Sequence, residues 1–543
     1  MNDRWRKVGC MHARWTLQAV LIFAALMPAV MAEGPPAMVR AETAQGAVEG
    51  ESLGKVLAFR GIPYAAPPLG AERFRPPQPP APWSGVRSAL DMGPACPQLI
   101  DGDPTENNDS VMAEDCLSLN IWTPKTDAAK RPVLFWIHGG AFVVGSSRNT
   151  FYDGSHLAAR GDVVVVSINY RLGAWGFLDL SRFGERYAES ANLGLLDQVA
   201  ALNWVKQNIS KFGGDPDNVT IFGESAGAAS VGDLLSMPVA RGLFSKAILE
   251  SGVPLGRTGA AFRSKDALAR QFLETVKARS PDELMEKSMK DLLDAQERLF
   301  SGTGDLGTFG PSIDNVVLKE KPFAVVSEGR GSRVPIMIGT TLEEMRYFST
   351  AEDLGLERKP RPLLLARLQA TLGPRAAAVL DEYQRLYPKW GDAVVQIVSD
   401  AIMRFPAIEL ADAVSAHQPV YMYLFTYRSN STYLNFGSAH AMELPFVFGT
   451  VNFPEVIVFT GRDPRRYELA DKVMDSWITF ARSGNPTLPP GPEWPRYDSA
   501  GRRTMELGPD IRVVGDPLSE QRKVWGATVP TVDQGWRLLT KNQ

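Results

Sequence analysis

The sequence predicts an α/β fold in which one large, mostly parallel sheet is covered by helices on both faces. Short apolar runs rich in β-branched residues recur along the chain, and helix-compatible stretches lie between them. Runs without polar alternation are typical of strands buried on both faces. Strands that alternate with helices indicate a mostly parallel sheet. The length of 543 residues, 44% of them hydrophobic, suffices for a large core.

Six apolar runs are the predicted central strands, and a long helical stretch between two of them covers residues 192–212. The runs are 132–137, 163–168, 219–222, 246–250, 334–338 and 420–425. The charged, helix-compatible regions 257–300 and 350–417 are predicted to form a helical cap or flank beside the sheet. Because large α/β enzymes often decorate one sheet instead of adding domains, we predict a single domain over residues 33–543.

The first 32 residues have the features of a secretory signal peptide. Basic residues, among them Arg4 and Arg14, precede an apolar run at 17–27, and small residues precede Glu33. This order is typical of a cleaved signal. An uncleaved anchor is the alternative, but the run is short for a membrane span. We therefore predict a secreted or periplasmic protein that is cleaved before Glu33 and has no membrane attachment afterwards.

Predicted export bears on how the three cysteines are interpreted. Cys10 would leave with the signal peptide, and Cys96 and Cys116 would remain. In an oxidising compartment these two can pair, the alternative being two buried free thiols.

Composition also excludes several classes of function. The formal net charge is −3, so no excess of Lys and Arg is present to neutralise phosphates, and a nucleic-acid partner is not expected. With only 5 His and 3 Cys in the chain, a metal site is not expected either.

A serine between glycines stands where the predicted strand 219–222 meets a helix-compatible run. The segment Gly223-Glu224-Ser225-Ala226-Gly227 fits the G-x-S-x-G turn, which lifts a serine hydroxyl to the end of a sheet. Larger side chains at the glycine positions would collide with the neighbouring strand and helix, and the helix N-terminus favours negative charge nearby. We therefore predict that Ser225 is a nucleophile.

A nucleophilic serine needs a base to take its proton, and histidine is the expected group. In hydrolases with this turn the chain order is Ser, acid, His, and only His417 and His440 follow Ser225. His417 lies in a polar turn that is typical of a surface. His440 lies in a loop between a strand and a buried-looking segment, so His440 is the predicted base and His417 the alternative.

The base in turn needs an acid that fixes its tautomer. Glu343 and Glu344 follow the predicted strand 334–338, and the carboxyl end of a strand is the expected place for the acid. The sequence pattern does not show which of these two adjacent glutamates is the acid. A solvated helix N-terminus is the alternative reading of both.

An oxyanion hole is predicted after strand 132–137. Gly139, Gly140 and Ala141 are small enough for their backbone amides to approach a developing oxyanion, and the amide of Ala226 would complete the site. His138, which precedes them, is expected to be buried and structural.

Together these segments resemble the type-B carboxylesterase family, which includes para-nitrobenzyl esterases and cholinesterases. The resemblance covers nearly the whole mature chain. The matching segments are 59–65, 114–121, 212–216 and 219–227, together with His440 and residues 443–449. It implies the α/β-hydrolase fold, with a large mixed sheet, and a serine carboxylesterase that acts on small-molecule esters without a cofactor or metal.

The resemblance also assigns residues by position. It implies a catalytic triad, an oxyanion hole, one disulfide and a set of aromatic residues around a gorge. The implied triad is Ser225, Glu344 and His440, and the implied oxyanion hole is formed by Gly140, Ala141 and Ala226. The implied disulfide joins Cys96 and Cys116, and the implied gorge residues are Phe142, Trp175 and Phe309. Met345 stands where the family often has glycine, so Glu343 stays the alternative acid.

The expected reaction has two steps and passes through an acyl-enzyme. With a histidine of ordinary pKa as base, activity is expected to fall below about pH 6. Two alternatives remain: hydrolysis chiefly of amides, thioesters or carbamates by the same residues, and a catalytically inactive binding module. The presence of all three triad residue types disfavours the second.

Overall fold

Thirteen strands form one sheet at the centre of the computed structural model, which describes residues 36–99, 111–255, 265–303, 308–350, 354–432, 436–487 and 491–526. The predicted signal peptide, residues 1–32, lies outside these ranges. The strands are β1 (Met38–Glu42), β2 (Ala47–Ser52), β3 (Leu57–Pro63), β4 (Val86–Ser88), β5 (Ser118–Thr123), β6 (Arg131–Ile137), β7 (Val164–Ile168), β8 (Gly214–Glu224), β9 (Lys246–Glu250), β10 (Ile336–Thr341), β11 (Val420–Phe425), β12 (Arg503–Leu507) and β13 (Arg512–Gly515).

The strand order is β1-β2-β3-β5-β7-β6-β8-β9-β10-β11-β12-β13, with β4 beside β2. All neighbours from β7 to β12 are parallel. The pairs outside that block, apart from β2 with β4, are antiparallel. The sheet is therefore mixed and mostly parallel, which confirms the predicted fold class. The six predicted strands are β6 to β11.

The strands that the apolar runs did not reveal lie toward the two edges of the sheet. Burial alternates along β2, and β5 carries the buried polar residue Asn120. The amide of Asn120 donates to Ser147 Oγ at 3.0 Å and to Ser167 Oγ at 3.1 Å. A search for continuous apolar runs misses such strands, because they are either half-buried or polar with satisfied hydrogen bonds.

Helices cover both faces of the sheet. They are α1 (Ser155–Gly161), α2 (Gly173–Phe177), α3 (Leu193–Asn208), α4 (Ala226–Ser236), α5 (Lys265–Thr275), α6 (Pro281–Leu284), α7 (Met289–Thr303), α8 (Pro322–Ser327), α9 (Arg361–Leu372), α10 (Ala376–Leu386), α11 (Trp390–Ser399), α12 (Phe405–Val414), α13 (Leu444–Phe448), α14 (Pro454–Thr460), α15 (Arg465–Ser483) and α16 (Ser519–Trp525). Among the described residues, none of these helices is both long enough and apolar enough to cross a bilayer.

The alternation of side chains along β6 shows how the core is divided. Val133, Phe135 and Ile137 pack in one cluster with residues of α3, α4 and α12. Leu134 and Trp136 pack in another cluster with residues of α1, α13 and α15. All five side chains are fully buried, and each such burial contributes roughly 1.5–3 kcal/mol. Both faces of the central strands are therefore apolar, as their sequences require.

The described parts of the two predicted flanking regions, residues 265–300 and 354–417, are largely helical. Region 257–300 contributes α5, α6 and most of α7, and region 350–417 contributes α9 to α12. Each region has a hydrophobic cluster beside the sheet. The prediction of one domain over residues 33–543 stays a prediction. Cys96 and Cys116 form a disulfide with a Cα–Cα distance of 5.1 Å.

Candidate active site

The predicted site residues lie beyond the carboxyl ends of neighbouring parallel strands. Gly139 to Ala141 follow β6, Ser225 follows β8, Glu344 lies beyond β10, and His440 lies in the loop after β11. In open α/β sheets this edge is where ligands bind, because the loops that leave the strands converge there.

The turn that carries Ser225 is sterically tight. Ser225 has φ 56° and ψ −120°, between the last residue of β8 and the first of α4, and its amide donates to Glu250 O at 2.8 Å. A Cβ on Gly223 would lie 2.6 Å from the carbonyl carbon of Gly227, and one on Gly227 would lie 2.9 Å from His138 O. Only glycine fits at these two positions, so the turn holds Ser225 in a backbone conformation that L-residues rarely adopt.

The loop after β6 is also strained. Gly140, Ala141 and Phe142 have φ values of 99°, 52° and 63° in succession, which is rare for residues other than glycine. In the part of the chain that the structure describes, the amides of Gly140, Ala141 and Ala226 donate to no protein acceptor. These amides are available to a ligand oxygen.

His138 is part of the support beneath this loop. Its side chain is buried, its Nδ1 donates to Gly139 O at 2.8 Å, and its ring stacks on Tyr170 with centroids 4.5 Å apart. Burial lowers the pKa of His138 to about 4, although the hydrogen bond to Gly139 opposes the shift. The imidazole is therefore neutral at physiological pH, as a structural histidine should be.

Glu344, and not Glu343, contacts the imidazole of His440. Nδ1 of His440 lies 2.6 Å from Glu344 Oε2. The other oxygen of Glu344 accepts from Ser251 Oγ at 2.7 Å and from the amide of Thr341 at 2.8 Å. The amide of His440 also donates to the carbonyl of Glu344 at 3.1 Å. The carboxylate is thus fixed by two donors while it orients the ring.

A second carboxylate faces the other ring nitrogen. Nε2 of His440 lies 2.9 Å from Glu224 Oε1. The approach is not aligned as a hydrogen bond, since this oxygen accepts none among the described residues, and the attraction is mainly Coulombic. Glu224 directly precedes Ser225, so this contact also brings His440 to the turn that carries Ser225.

The surrounding charges govern the pKa of His440. Burial lowers this pKa, but the carboxylates of Glu224 and Glu344 outweigh burial and raise it well above the usual 6.5. Burial raises the pKa of Glu224 as well, while His440 opposes that shift. The arrangement favours a proton on His440.

Four buried residues that interact with His440 or with its neighbouring carboxylates were not found from the sequence: Glu224, Glu250, Ser251 and Glu443. Glu250 accepts from Trp477 Nε1 at 2.8 Å, and burial raises its pKa to about 8. Burial also raises the pKa of Glu443 well above its usual value. The sequence did contain a signal for three of them. Glu224 is a charged residue inside the serine motif, and Glu250 and Ser251 stand at the carboxyl end of a predicted strand, where site residues are expected.

The aromatic candidates and His417 divide between core, surface and site. Trp175 and Phe309 are fully buried in the cluster that includes α5 and α7, which is a core position. Phe142 is half-buried in the loop after β6. The ring of Phe348 lies 5.2 Å from that of His440, and His417 is exposed.

Comparisons with known proteins identify the family of this chain. The model of the carboxylesterase family matches residues 37–525. The para-nitrobenzyl esterase of Bacillus subtilis (strain 168) is 41% identical over 488 residues, which are 89% of this chain and 97% of that protein. The acetylcholinesterase of Bungarus fasciatus is 33% identical, over 92% of this chain and 88% of that protein.

Solved structures give the same result. A para-nitrobenzyl (PNB) esterase superposes with a TM-score of 0.77 and 39% identity, over 90% of this chain and 99% of the other. Carboxylesterase EST55 of Geobacillus stearothermophilus superposes with a TM-score of 0.78 and 40% identity, with the same coverage. The chain therefore has the α/β-hydrolase fold and belongs to the carboxylesterase family, the enzymes that hydrolyse carboxylic esters.

Proposed function

We propose that this chain is a serine carboxylesterase that works through an acyl-enzyme, with Ser225, His440 and Glu344 as its triad. The observation that carries the proposal is the environment of His440. Its Nδ1 lies 2.6 Å from a buried, doubly hydrogen-bonded carboxylate. Its Nε2 lies beside the residue that precedes Ser225. A base oriented in this way next to a serine on a strained turn is what nucleophilic catalysis by a hydroxyl requires.

In the first step Ser225 Oγ attacks the ester carbonyl carbon, and its proton passes to Nε2 of His440. The carboxylates of Glu344 and Glu224 stabilise the imidazolium that forms. The tetrahedral oxyanion accepts hydrogen bonds from the amides of Gly140, Ala141 and Ala226, where each donor is worth about 100- to 1000-fold in rate.

Collapse of the intermediate then expels the alcohol, which takes its proton from His440 and leaves the acyl group on Ser225. Water, deprotonated by His440, attacks the acyl-enzyme in the second step and releases the carboxylic acid. All of these steps use groups of this chain and water.

Replacement of the nucleophile tests the proposal. We expect Ser225→Ala to lower kcat for an activated ester by a factor on the order of a million, with an unchanged circular dichroism spectrum. Ser236→Ala is the matched control, because Ser236 lies at the far end of the same helix, where its hydroxyl donates to Asp233 O at 2.7 Å. Ester turnover by the Ser225 variant at the rate of the control would refute the proposed nucleophile.

Small-molecule carboxylic esters are the proposed substrate class, because the para-nitrobenzyl esterase and acetylcholinesterase to which the chain is similar are named as esterases. Matched ester, amide, thioester and carbamate substrates with one acyl group would rank the alternatives, and we expect the ester to have the highest kcat/KM.

We also propose that the enzyme is exported to the periplasm or medium. The order of basic, apolar and small residues at its N-terminus supports export. The disulfide between Cys96 and Cys116 is compatible with an oxidising compartment.

A further inference from the structure

Glu343 has a different set of partners from its neighbour Glu344. Its side chain is 1% exposed and makes no described contact with His440. The amide of Glu343 donates to Ser438 O at 2.8 Å, and the amide of Ser438 donates back to Glu343 Oε2 at 3.0 Å. This reciprocal pair joins the segment after β10 to a point two residues before His440.

The loop is shaped to accept this carboxylate. Gly437 has φ 61°, and a Cβ at that position would overlap with Glu343 Oε2. Ser438 is held on its other side by its hydroxyl, which donates to Phe425 O at 2.8 Å. The backbone of residues 437 and 438 is thus closed against Glu343 on one side and against the end of β11 on the other.

Two arginines neutralise the carboxylate. Arg346 Nε lies 3.1 Å from Glu343 Oε1, and Arg428 Nε lies 3.4 Å from Oε2. The side chain of Arg428 is 56% exposed, so water screens that pair and it contributes little to stability. Glu343 differs from an ordinary ion-paired acid because its carboxylate also accepts a hydrogen bond from the amide of Ser438.

We propose that Glu343 is a positioning residue that holds the 437–440 loop so that Nδ1 of His440 meets Glu344. The proposal rests on the proposed function, in which His440 is the base. The two adjacent acids then have different roles. Glu344 orients the imidazole ring, and Glu343 fixes the backbone segment to which the ring is attached. A displacement of a catalytic group by about 1 Å can cost on the order of 100-fold in rate.

The test compares Glu343→Ala with Glu343→Gln. The glutamine keeps an oxygen that can accept from the amide of Ser438, and it should retain most of kcat. The alanine removes the acceptor, and we expect its kcat to fall about 10- to 100-fold. KM should change much less than kcat in both variants, because the side chain of Glu343 is only 1% exposed and has almost no surface that a substrate could contact.

Asn208→Ala is the matched control for a lost buried tether. The side-chain oxygen of Asn208 accepts from the amide of Ala44 at 2.8 Å, at the end of α3 and far along the chain from His440. This variant should lose stability, measured as Tm, without losing kcat. If the alanine variant of Glu343 keeps the wild-type kcat, or if the glutamine variant is equally impaired, Glu343 does not position the loop through this hydrogen bond.

Gly437→Ala provides an independent variant that keeps Glu343 and displaces its carboxylate. We expect the same loss of kcat from it, and a wild-type kcat in the folded protein would contradict the proposal even if the alanine variant of Glu343 does not fold. Ser225→Ala is measured in the same series. Activity in that variant would overturn the proposed function, whereas an inactive Ser225 variant beside fully active Glu343 and Gly437 variants would overturn only the positioning role.

Discussion

The chemistry of the site depends on one imidazole between two carboxylates. Glu344 lies 2.6 Å from Nδ1 of His440 and Glu224 lies 2.9 Å from Nε2. Both carboxylates stabilise the charged ring, so a proton on His440 is held more strongly than on an ordinary histidine. The same stabilisation means that a higher pH is needed to convert protonated His440 into its neutral, basic form.

The raised pKa of His440 predicts that activity is lost at a higher pH than the sequence suggested. The base form exists only above the pKa of His440, which the carboxylates raise well above 6.5. Activity should therefore rise with pH through that higher value, instead of falling only below about pH 6. In Glu224→Gln one attracting charge is lost, and the acidic limb of kcat/KM should move down by roughly 1 pH unit or more.

Glu506→Gln serves as the control for this measurement. Glu506 pairs with Arg512 at 2.7 Å between the last two strands of the sheet, and removing that charge should leave the limb where it is. A limb that stays in place in the Glu224 variant would show that Glu224 does not set the pKa of the base.

At the scale of elements, several loops that leave the carboxyl ends of the strands contain residues with a strained backbone. Ala141 follows β6, Ser225 follows β8, Ser251 follows β9 and Ala441 is next to His440, and all four have φ between 51° and 63°. Each such residue costs of order 1–3 kcal/mol and persists only because the surrounding structure imposes it. The strands and helices that flank these loops therefore stabilise a site that is locally unfavourable.

The turn that carries Ser225 allows that energetic cost to be measured. Glycine adopts positive φ without a penalty, so Ser225→Gly should be more stable to urea than Ser225→Ala by about 1 kcal/mol, although neither is active. The same pair of substitutions at Ser236, within α4, should show the opposite order, because glycine disfavours a helix. Equal stabilities at position 225 would mean that the turn imposes no strain.

At the scale of the whole molecule, stability rests on the parallel block of the sheet and the two helical layers that cover it. The disulfide adds a covalent link just before β5, a strand that pairs antiparallel with β3. Its cysteines are 20 residues apart, and closing a loop of that length in the unfolded chain is worth about 3 kcal/mol.

Replacing both cysteines tests that contribution. We expect Cys96→Ala combined with Cys116→Ala to lower the free energy of unfolding by about 3 kcal/mol in urea titrations. The wild-type protein titrated under reducing conditions should approach the same value. An unchanged unfolding midpoint in the double variant would mean that the disulfide closes a loop already ordered in the unfolded chain.

Features that depend on neighbouring residues could be predicted from the sequence by itself. The six central strands were found because burial on both faces requires continuous apolar runs. The turn at Ser225 was found because its steric demands fall on Gly223 and Gly227, which are two residues away on either side. Local periodicity and local steric demands can be recognised in the sequence itself, and they determined the fold class and the turn that carries Ser225.

Only the tertiary structure decided how distant groups meet. Glu343 and Glu344 are adjacent in the chain, yet one contacts Ser438 and the other His440, which is 96 residues away. The approach of Glu224 to that imidazole depends likewise on the relative positions of β8 and the loop after β11. No local pattern specifies such contacts, because side chains at successive positions point in different directions and the partner of each is set by how the sheet brings its loops together.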